Sequence, residues 1–223
     1  MTLSAMRFEL ISFAICPYVQ RSVITLRYKR IDFDLTHIDL AHPPSWFRDV
    51  SPLGKVPVLR IDGTTALFES AVINEFIDEV TEPRLMSADP VERARERAWI
   101  AHASTLLGAL YRVMSATDRA GLDAAAGVLF DDIDPLERFL EPAPLFRGNA
   151  FSLADAAFAP LFLRLELMHA ARPFPRWNDY PKTRAWAKAL LELPAVAGSV
   201  GPSFREDLAA SLRKRGSLLA AAL

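Results

Sequence analysis

Residues 8–21 read FELISFAICPYVQR and combine a strand, a junction and the start of a helix. The apolar run Phe8–Ser12 predicts a buried strand. Pro17 suits the first turn of a helix, and apolar residues recur at helical spacing after it, so residues 17–30 predict a helix. Cys16, the only cysteine of the chain, therefore lies at or beside the N-cap of that helix.

The pattern that follows this junction indicates a small mixed sheet. Strands are predicted at residues 33–38, 56–61 and 66–68, and a helix at residues 69–80. The turn pair Asp62–Gly63 ends the second of these strands. The resulting order, β-α-β, a loop and then β-β-α, predicts an α/β domain with helices packed on one sheet.

Strand patterns almost vanish after residues 81–88, which we interpret as a linker because Pro83 breaks the preceding helix. We therefore divide the chain into an α/β domain, residues 1–80, and an all-helical domain, residues 89–223. Pro135 is expected to kink or restart the second helix of the latter domain. Its helices are predicted at about 89–114, 122–140, 153–171, 180–191 and 204–219.

The composition excludes several classes of protein. The 223 residues include 26 Lys+Arg and 27 Asp+Glu and are 51% hydrophobic, which argues against a disordered chain and against a nucleic-acid partner. One cysteine excludes an internal disulfide. The most apolar stretch, residues 156–171, is interrupted by Arg164 and Glu166, so no stable membrane insertion is expected. With no recognisable targeting segment, we expect a cytoplasmic protein.

Cys16 is the first candidate for chemistry. Free N–H groups and the helix dipole favour negative charge at a helix N-terminus, and such a position lowers the pKa of a cysteine thiol. The residue three positions later is Val19, so there is no C-x-x-C pair and a reactive thiol would need an external thiol partner. The alternative is that Cys16 is simply a small buried hydrophobic residue.

The segment LGKVPVL, residues 53–59, is the second candidate. Pro57 cannot donate to the ladder of a strand. If the Val56–Pro57 bond is cis, the N–H and C=O groups of Val56 turn outward and could pair with an extended peptide. The alternative is an ordinary proline on an edge strand.

Glu69 and Ser70 form the third candidate, where a strand runs into a helix. Glu69 could pair with an ammonium group while Ser70 and its amide hold a carboxylate at the helix N-terminus. Together they would bind the head of an amino acid. The alternative is a plain helix cap.

A capping box is the fourth motif, within residues 148–155, GNAFSLAD. Ser152 would be the cap and Asp155 its partner three residues on. We assign it a structural role, the start of a buried helix in the second domain, and no catalysis.

Taken in order, these four motifs resemble the cytosolic glutathione transferase family, and the match extends along nearly the whole chain. The Cys-Pro-Tyr at 16–18 is similar to the cysteine-type members, which include the omega class and its bacterial relatives. The resemblance implies a thioredoxin-like N-terminal domain, an all-helical C-terminal domain, glutathione as cosubstrate, a homodimer and a role in detoxification.

The resemblance also implies roles for individual residues. By position, Cys16 is the catalytic thiol, and the backbone of Val56 binds the cysteinyl part of glutathione. Glu69 and Ser70 hold the γ-glutamyl end. Members of the omega class carry a lysine after strand two, where this chain reads AHPPSW at 41–46, so Lys55 becomes the cation for the glycyl carboxylate.

Three functions remain open from the sequence. The first is a thiol transferase or reductase, or glutathione-lyase-type chemistry, with Cys16 as nucleophile. The second is a conjugating transferase that activates the thiol of glutathione itself, with Ser12 or Tyr18 as the nearby hydroxyl. The third is a non-catalytic interaction module, in which the basic tail at 213–215 would serve a partner or a membrane.

The second substrate, a small apolar or oxidised molecule, is expected between the two domains. Histidines 37, 42, 102 and 169 lack ligand spacing, so no metal site is predicted. No nucleotide-binding glycine motif is present in the sequence either. The residues proposed to line the second-substrate site are Phe13, Ile15, Leu107, Tyr111 and Met114.

Overall fold

The first part of the chain folds as the strand and helix patterns predict. The computed structural model describes residues 6–220. Its elements up to residue 80 are β1 (Phe8–Ser12), α1 (Pro17–Tyr28), β2 (Asp34–His37), α2 (Phe47–Val50), β3 (Val58–Ile61), β4 (Thr65–Phe68) and α3 (Ser70–Val80). In this part, only the short helix α2 was not predicted. The four strands form one sheet in the order β2-β1-β3-β4, with β1 parallel to β2 and antiparallel to β3, and β3 antiparallel to β4.

The rest of the described chain is helical, as predicted. Its helices are α4 (Pro90–Ser115), α5 (Arg119–Phe139), α6 (Leu153–Ala171), α7 (Pro181–Leu191), α8 (Pro194–Ala197) and α9 (Phe204–Lys214), with a 3-10 turn at Pro175–Asp179. An α/β sheet domain followed by helices confirms the predicted fold class.

Two details of the helical part differ from the prediction. Of the two outcomes expected at Pro135, a kink or a restart, the restart does not occur, because helix α5 continues through the proline. Ile133 and Leu136 on either side of it are fully buried. Core packing of this face offsets the one hydrogen bond that proline removes. Helix α9 ends at Lys214 and not near residue 219, because Gly216 has a positive φ of 66°.

The predicted capping box is present at the start of α6. Ser152 Oγ accepts a hydrogen bond from Asp155 N at 3.4 Å, and the Asp155 carboxylate accepts one from Ser152 N at 2.8 Å. Asp155 also accepts hydrogen bonds from Trp186 Nε1 at 2.7 Å and from Phe146 N at 3.0 Å. This buried carboxylate therefore ties the start of α6 to α7 and to the loop before α6.

Helix α1 lies between the sheet and the helical part of the molecule. Val19, Val23 and Leu26 belong to the core of the sheet domain, whereas Ile24 belongs to the helical core. A helix that is covered on both sides has little freedom to move its first residue. The fold therefore holds Cys16, at the start of α1, beside both domains.

Hydrogen bonds to Asp78 on α3 hold the backbone of the segment between α3 and α4 in place. The Asp78 carboxylate accepts hydrogen bonds from Leu85 N at 2.7 Å and Met86 N at 3.1 Å. The same carboxylate forms a buried salt bridge of 2.9 Å with Lys29 Nζ. This connection is therefore packed against the body of the protein and is not an extended spacer.

Candidate active site

Cys16 is the N-cap residue of α1, as the sequence predicts. Its backbone N–H donates to Phe13 O at 2.9 Å, and its carbonyl accepts from Gln20 N at 3.1 Å. The thiol is free and its residue is partly exposed. The local geometry therefore follows from the strand, the tight junction and Pro17 at the first helical turn.

The environment changes the acidity of this thiol in an unexpected direction. Burial raises the pKa of Cys16 above its ordinary value, although the backbone amides of Val19 and Tyr18 and the guanidinium groups of Arg164 and Arg21 act to lower it. The expectation of a lowered pKa is therefore wrong, because it considered the helix terminus and not the side chains packed over the sulfur. At neutral pH, without cosubstrate, the thiol is mostly protonated.

The four residues that the family resemblance assigns to glutathione binding line one cavity of about 360 Å³, here named the polar cavity. Its lining residues are Tyr18, Arg21, Ser51, Leu53, Lys55, Val56, Pro57, Phe68, Glu69, Ser70, Ala71 and Ser104. The Val56–Pro57 peptide bond is cis, which is the conformation that the sequence left open. The structure thus brings Lys55, Val56, Glu69 and Ser70 together.

The strand-to-helix junction at Glu69 has an unusual backbone conformation. Glu69 precedes α3 with φ 69° and ψ 115°, a region that residues other than glycine seldom occupy. Ser70 is buried at the first position of α3, where backbone N–H groups are free to bind an anion, whereas the Glu69 side chain is exposed. The pair therefore offers an acceptor and a set of donors side by side.

Lys55 is exposed on a loop whose backbone is held in place. Ser51 Oγ donates to Lys55 O at 2.7 Å and accepts from Lys55 N at 2.9 Å. Gly54 has a positive φ of 62°, a conformation that residues with a side chain seldom adopt, and the Arg48 guanidinium packs against it. Lys55, on this loop, is one of the residues that line the polar cavity.

The five residues predicted for the second substrate also lie together. Phe13, Ile15, Leu107, Tyr111 and Met114 line a cavity of about 390 Å³, here named the apolar cavity. Its other lining residues are Cys16, Pro17, Tyr18, Gly108, Leu110, Arg164, Leu208, Ser211, Leu212 and Arg215.

The two cavities meet at Tyr18, which lines both of them. Cys16, two residues before Tyr18, lines the apolar cavity. Burial raises the pKa of Tyr18, so its hydroxyl stays protonated and can donate a hydrogen bond. Ser12, the other hydroxyl candidate, is buried and lines a third cavity, to which Tyr18 does not contribute.

Two buried arginines beside Cys16 were given no functional role by the sequence reasoning. Arg21 donates to Ala157 O at 3.0 Å and Ser104 Oγ at 2.9 Å, and its Nη2 has no hydrogen-bond partner among the residues that the structure describes. Both arginines have 1% of their surface exposed, and burial lowers the pKa of each to about 10. The sequence did contain one indication, because Arg164 interrupts the most apolar stretch of the chain. An arginine is almost never fully buried unless it has a partner.

Within residues 6–220, the acceptors of the Arg164 hydrogen bonds are all neutral. Its Nη1 donates to Gln20 Oε1 at 2.7 Å and to Pro160 O at 2.9 Å, and its Nη2 donates to Ile15 O at 2.9 Å. Its guanidinium carbon lies 5.0 Å from the centre of the Phe204 ring. Within residues 6–220, no carboxylate lies within salt-bridge distance of Arg164 or Arg21.

No metal-binding cluster is found in the part of the chain that the structure describes. Among residues 6–220, no group of three or more His, Cys, Asp or Glu side chains is placed to hold one. In the same range, none of the helices has the length and apolar character that crossing a membrane requires.

Comparison with known proteins identifies the family. Residues 15–80 match the glutathione S-transferase N-terminal domain, and residues 119–189 match the glutathione S-transferase C-terminal domain. The chain is 30% identical to glutathione S-transferase omega-2 of Rattus norvegicus over 190 residues, covering 83% of this chain and 75% of the relative.

Two solved structures share the fold over most of their length. Glutathione transferase Omega 3C from Trametes versicolor is 29% identical with a TM-score of 0.77, over 86% of this chain and 88% of that one. A glutathione S-transferase from Methylobacillus flagellatus, solved with glutathione bound, is 25% identical with a TM-score of 0.75, over 86% and 98% of the two chains. The protein therefore belongs to the glutathione S-transferase family and resembles its omega class.

Proposed function

We propose that this protein is a glutathione-dependent thiol transferase in which Cys16 is the nucleophile. The observation that carries the proposal is the position of Cys16. It lies at a helix N-terminus on the wall of the apolar cavity, two residues from Tyr18, which this cavity shares with the polar cavity. A cysteine held between a site for a peptide and a site for an apolar molecule suits transfer between the two.

Glutathione is the proposed occupant of the polar cavity. Glu69 would pair with its ammonium group, and Ser70 with the free amides of α3 would hold the γ-glutamyl carboxylate. The backbone of Val56 would pair with the cysteinyl residue, and Lys55 would face the glycyl carboxylate. Glutathione carries two carboxylates and one ammonium group, so its net negative charge suits a cavity that also contains Arg21.

The reaction we propose needs only one protein thiol. The Cys16 thiolate attacks the glutathionyl sulfur of a mixed disulfide, the original S–S bond breaks, and the second substrate leaves as a thiolate that takes up a proton. The thiolate of a second glutathione then attacks the protein-bound disulfide. This step forms oxidised glutathione and regenerates the free thiol of Cys16. Glutathione must carry it out, because the chain has no other cysteine to resolve the intermediate.

Conjugation remains the second candidate, because Tyr18 lies where the cavities meet. In that reaction the Tyr18 hydroxyl would donate a hydrogen bond to the thiolate of glutathione, which attacks an apolar electrophile. Replacing Tyr18 with phenylalanine separates the two reactions. Thiol transfer should change by less than a few fold, whereas a conjugating enzyme would lose about 10²-fold, the loss typical of one removed donor.

Cell location and assembly are further parts of the proposal. The reaction consumes reduced glutathione and needs a free Cys16, which favours the reducing cytoplasm and a role in detoxification of oxidised or electrophilic molecules. Leu53 and Phe68, at the polar cavity, are 53% and 41% exposed. Exposed apolar side chains of this size favour a contact with a second copy, so we propose a homodimer, which light scattering after size exclusion would test.

The central experiment is mass spectrometry of the intact protein after incubation with oxidised glutathione. One glutathionyl group should appear on Cys16 and disappear on addition of reduced glutathione. The Cys16→Ser protein should remain unmodified and should no longer reduce mixed disulfides of glutathione. Full activity of Cys16→Ser would refute the nucleophilic role, and failure of the wild-type protein to bind glutathione at all would favour a non-catalytic interaction module.

A further inference from the structure

We propose that the second substrate is an anion, namely an aromatic or other apolar sulfur compound that carries a carboxylate or similar acidic group. The proposal rests on the thiol-transfer function above and adds the chemical class of its substrate. It is carried by the charges around the apolar cavity. Arg164 and Arg215 both line this cavity, and none of the described residues that line it is an aspartate or a glutamate.

The first step of the argument concerns the buried charge of Arg164. Another buried cation, the ammonium group of Lys29, does have an acidic partner, because it lies 2.9 Å from the Asp78 carboxylate. The Arg164 guanidinium is equally buried, but carbonyl and amide oxygens are its acceptors. A buried charge without a counter-ion is costly, so its retention at the wall of a cavity favours an anionic occupant.

Nearby acidic groups do not neutralise Arg164. Asp207 lines the third cavity, to which Arg164 and Cys16 also contribute, but its carboxylate accepts a hydrogen bond from Ser203 Oγ at 2.8 Å. It is not within salt-bridge distance of Arg164. The titratable neighbour of Arg164 is Cys16, which is mostly protonated at neutral pH and would supply one negative charge as a thiolate. With two arginines and one thiolate, the apolar cavity keeps a net positive charge.

Arg215 is the second step of the argument. It is exposed at the end of α9, and its guanidinium carbon lies 5.0 Å from the centre of the Tyr111 ring. Tyr111 is 49% exposed and lines the same cavity. The two side chains together offer a flat aromatic surface and a cation at the entrance, which suits an aromatic acid.

The size and walls of the cavity complete the assignment. A volume of about 390 Å³ is within the range of small-molecule sites, and its apolar walls come from α4, α9 and the β1–α1 junction. A neutral apolar ligand would leave the net positive charge of this cavity uncompensated. An aryl thiol with a carboxylate would pack its ring against these walls, and its carboxylate would pair with the guanidinium group of an arginine. Released from a mixed disulfide as described above, it leaves as an aryl thiolate.

Two matched substrates test the proposal. They are the mixed disulfides of glutathione with 4-mercaptobenzoate and with 4-mercaptobenzamide, which differ by one charge and little in size. Each kcat/KM is divided by the uncatalysed rate with free glutathione, which corrects for the different acidity of the leaving thiols. We expect the benzoate to be preferred about tenfold at low ionic strength, mainly through a lower KM, and less strongly as salt is added.

Variants locate the charge that produces the preference. Arg215→Gln should bring the ratio of the two normalised values toward one, and Arg164→Gln should do the same if its thermal unfolding shows that it is folded. Arg213→Gln, an exposed control two residues from Arg215, should leave the ratio unchanged. Equal use of both substrates by the wild-type protein, or a ratio that survives Arg215→Gln and Arg164→Gln, would overturn the anionic substrate class. Turnover of neither substrate would instead count against the thiol-transfer function.

Discussion

Arg164 Nη2 donates a hydrogen bond to the carbonyl oxygen of Ile15 at 2.9 Å. This contact joins the middle of α6 to the residue directly before Cys16, across 149 positions of sequence. The same guanidinium reaches Gln20 Oε1 on α1. One buried side chain therefore fastens the helical domain to both sides of the candidate catalytic residue.

Replacing Arg164 with methionine should destabilise the protein. The change would leave the acceptors on Ile15 and Gln20 without this donor, and each buried unsatisfied group costs about 1–3 kcal/mol. The Pro160 carbonyl would lose one donor but keep the helical hydrogen bond from the backbone N–H of residue 164. Because methionine removes the cost of the buried charge at the same time, we expect a net loss of about 2–4 kcal/mol. Urea unfolding followed by circular dichroism measures it. The exposed Arg112→Met on α4 is the control and should change stability by less than about 0.5 kcal/mol; an equally small change for Arg164→Met would contradict the fastening role.

Alkylation of Cys16 should show the raised pKa of its thiol. Only the thiolate reacts with iodoacetamide, and its fraction grows as the pH rises through the pKa. Because burial raises this pKa, the rate should have its midpoint above the value of about 8.5 that is usual for cysteine. The Cys16→Ser protein gives the background rate. A midpoint at or below that of a free cysteine peptide measured in parallel would contradict the effect of burial.

Replacing Lys55 with glutamine should weaken the binding of glutathione. The ammonium group is exposed at the polar cavity, so its loss should raise KM for glutathione about three- to tenfold and leave kcat within a factor of two. Lys188→Gln, on the exposed face of α7, is the matched control. Steady-state kinetics with varied glutathione measure both constants. An unchanged KM would remove Lys55 from the proposed set of glutathione contacts.

Asp155→Ala should be among the most damaging single changes in the helical domain. It would leave Trp186 Nε1 and two backbone N–H groups, on Phe146 and Ser152, without an acceptor in a buried site. We expect a loss of about 3–5 kcal/mol in the free energy of unfolding, by analogy with other broken buried networks. Asp123→Ala, at an exposed ion pair on α5, should cost less than about 1 kcal/mol. Chemical denaturation of both variants compares them, and equal losses would be inconsistent with a structural role for the capping box.

Local sequence patterns predicted the elements that carry the site. The apolar run of β1, Pro17 and the helical spacing after it placed Cys16 at the N-cap of α1, because caps and periodicity depend on neighbours a few residues apart. The Ser152–Asp155 capping box was predicted for the same reason. The glutathione and second-substrate residues came from resemblance to a family and from position, and the structure brings each set into one cavity.

What the sequence determined by itself was therefore the order of the elements and the place of Cys16 at the start of a helix. Only the tertiary structure decided how acidic that cysteine is and which charges surround it. Burial raises the pKa of Cys16, and Arg164, which lies on α6 far along the chain, contacts the residue before it. Desolvation and charge interactions depend on distances between residues that no local pattern records, so packing had to bring α1 against α6 before either effect existed.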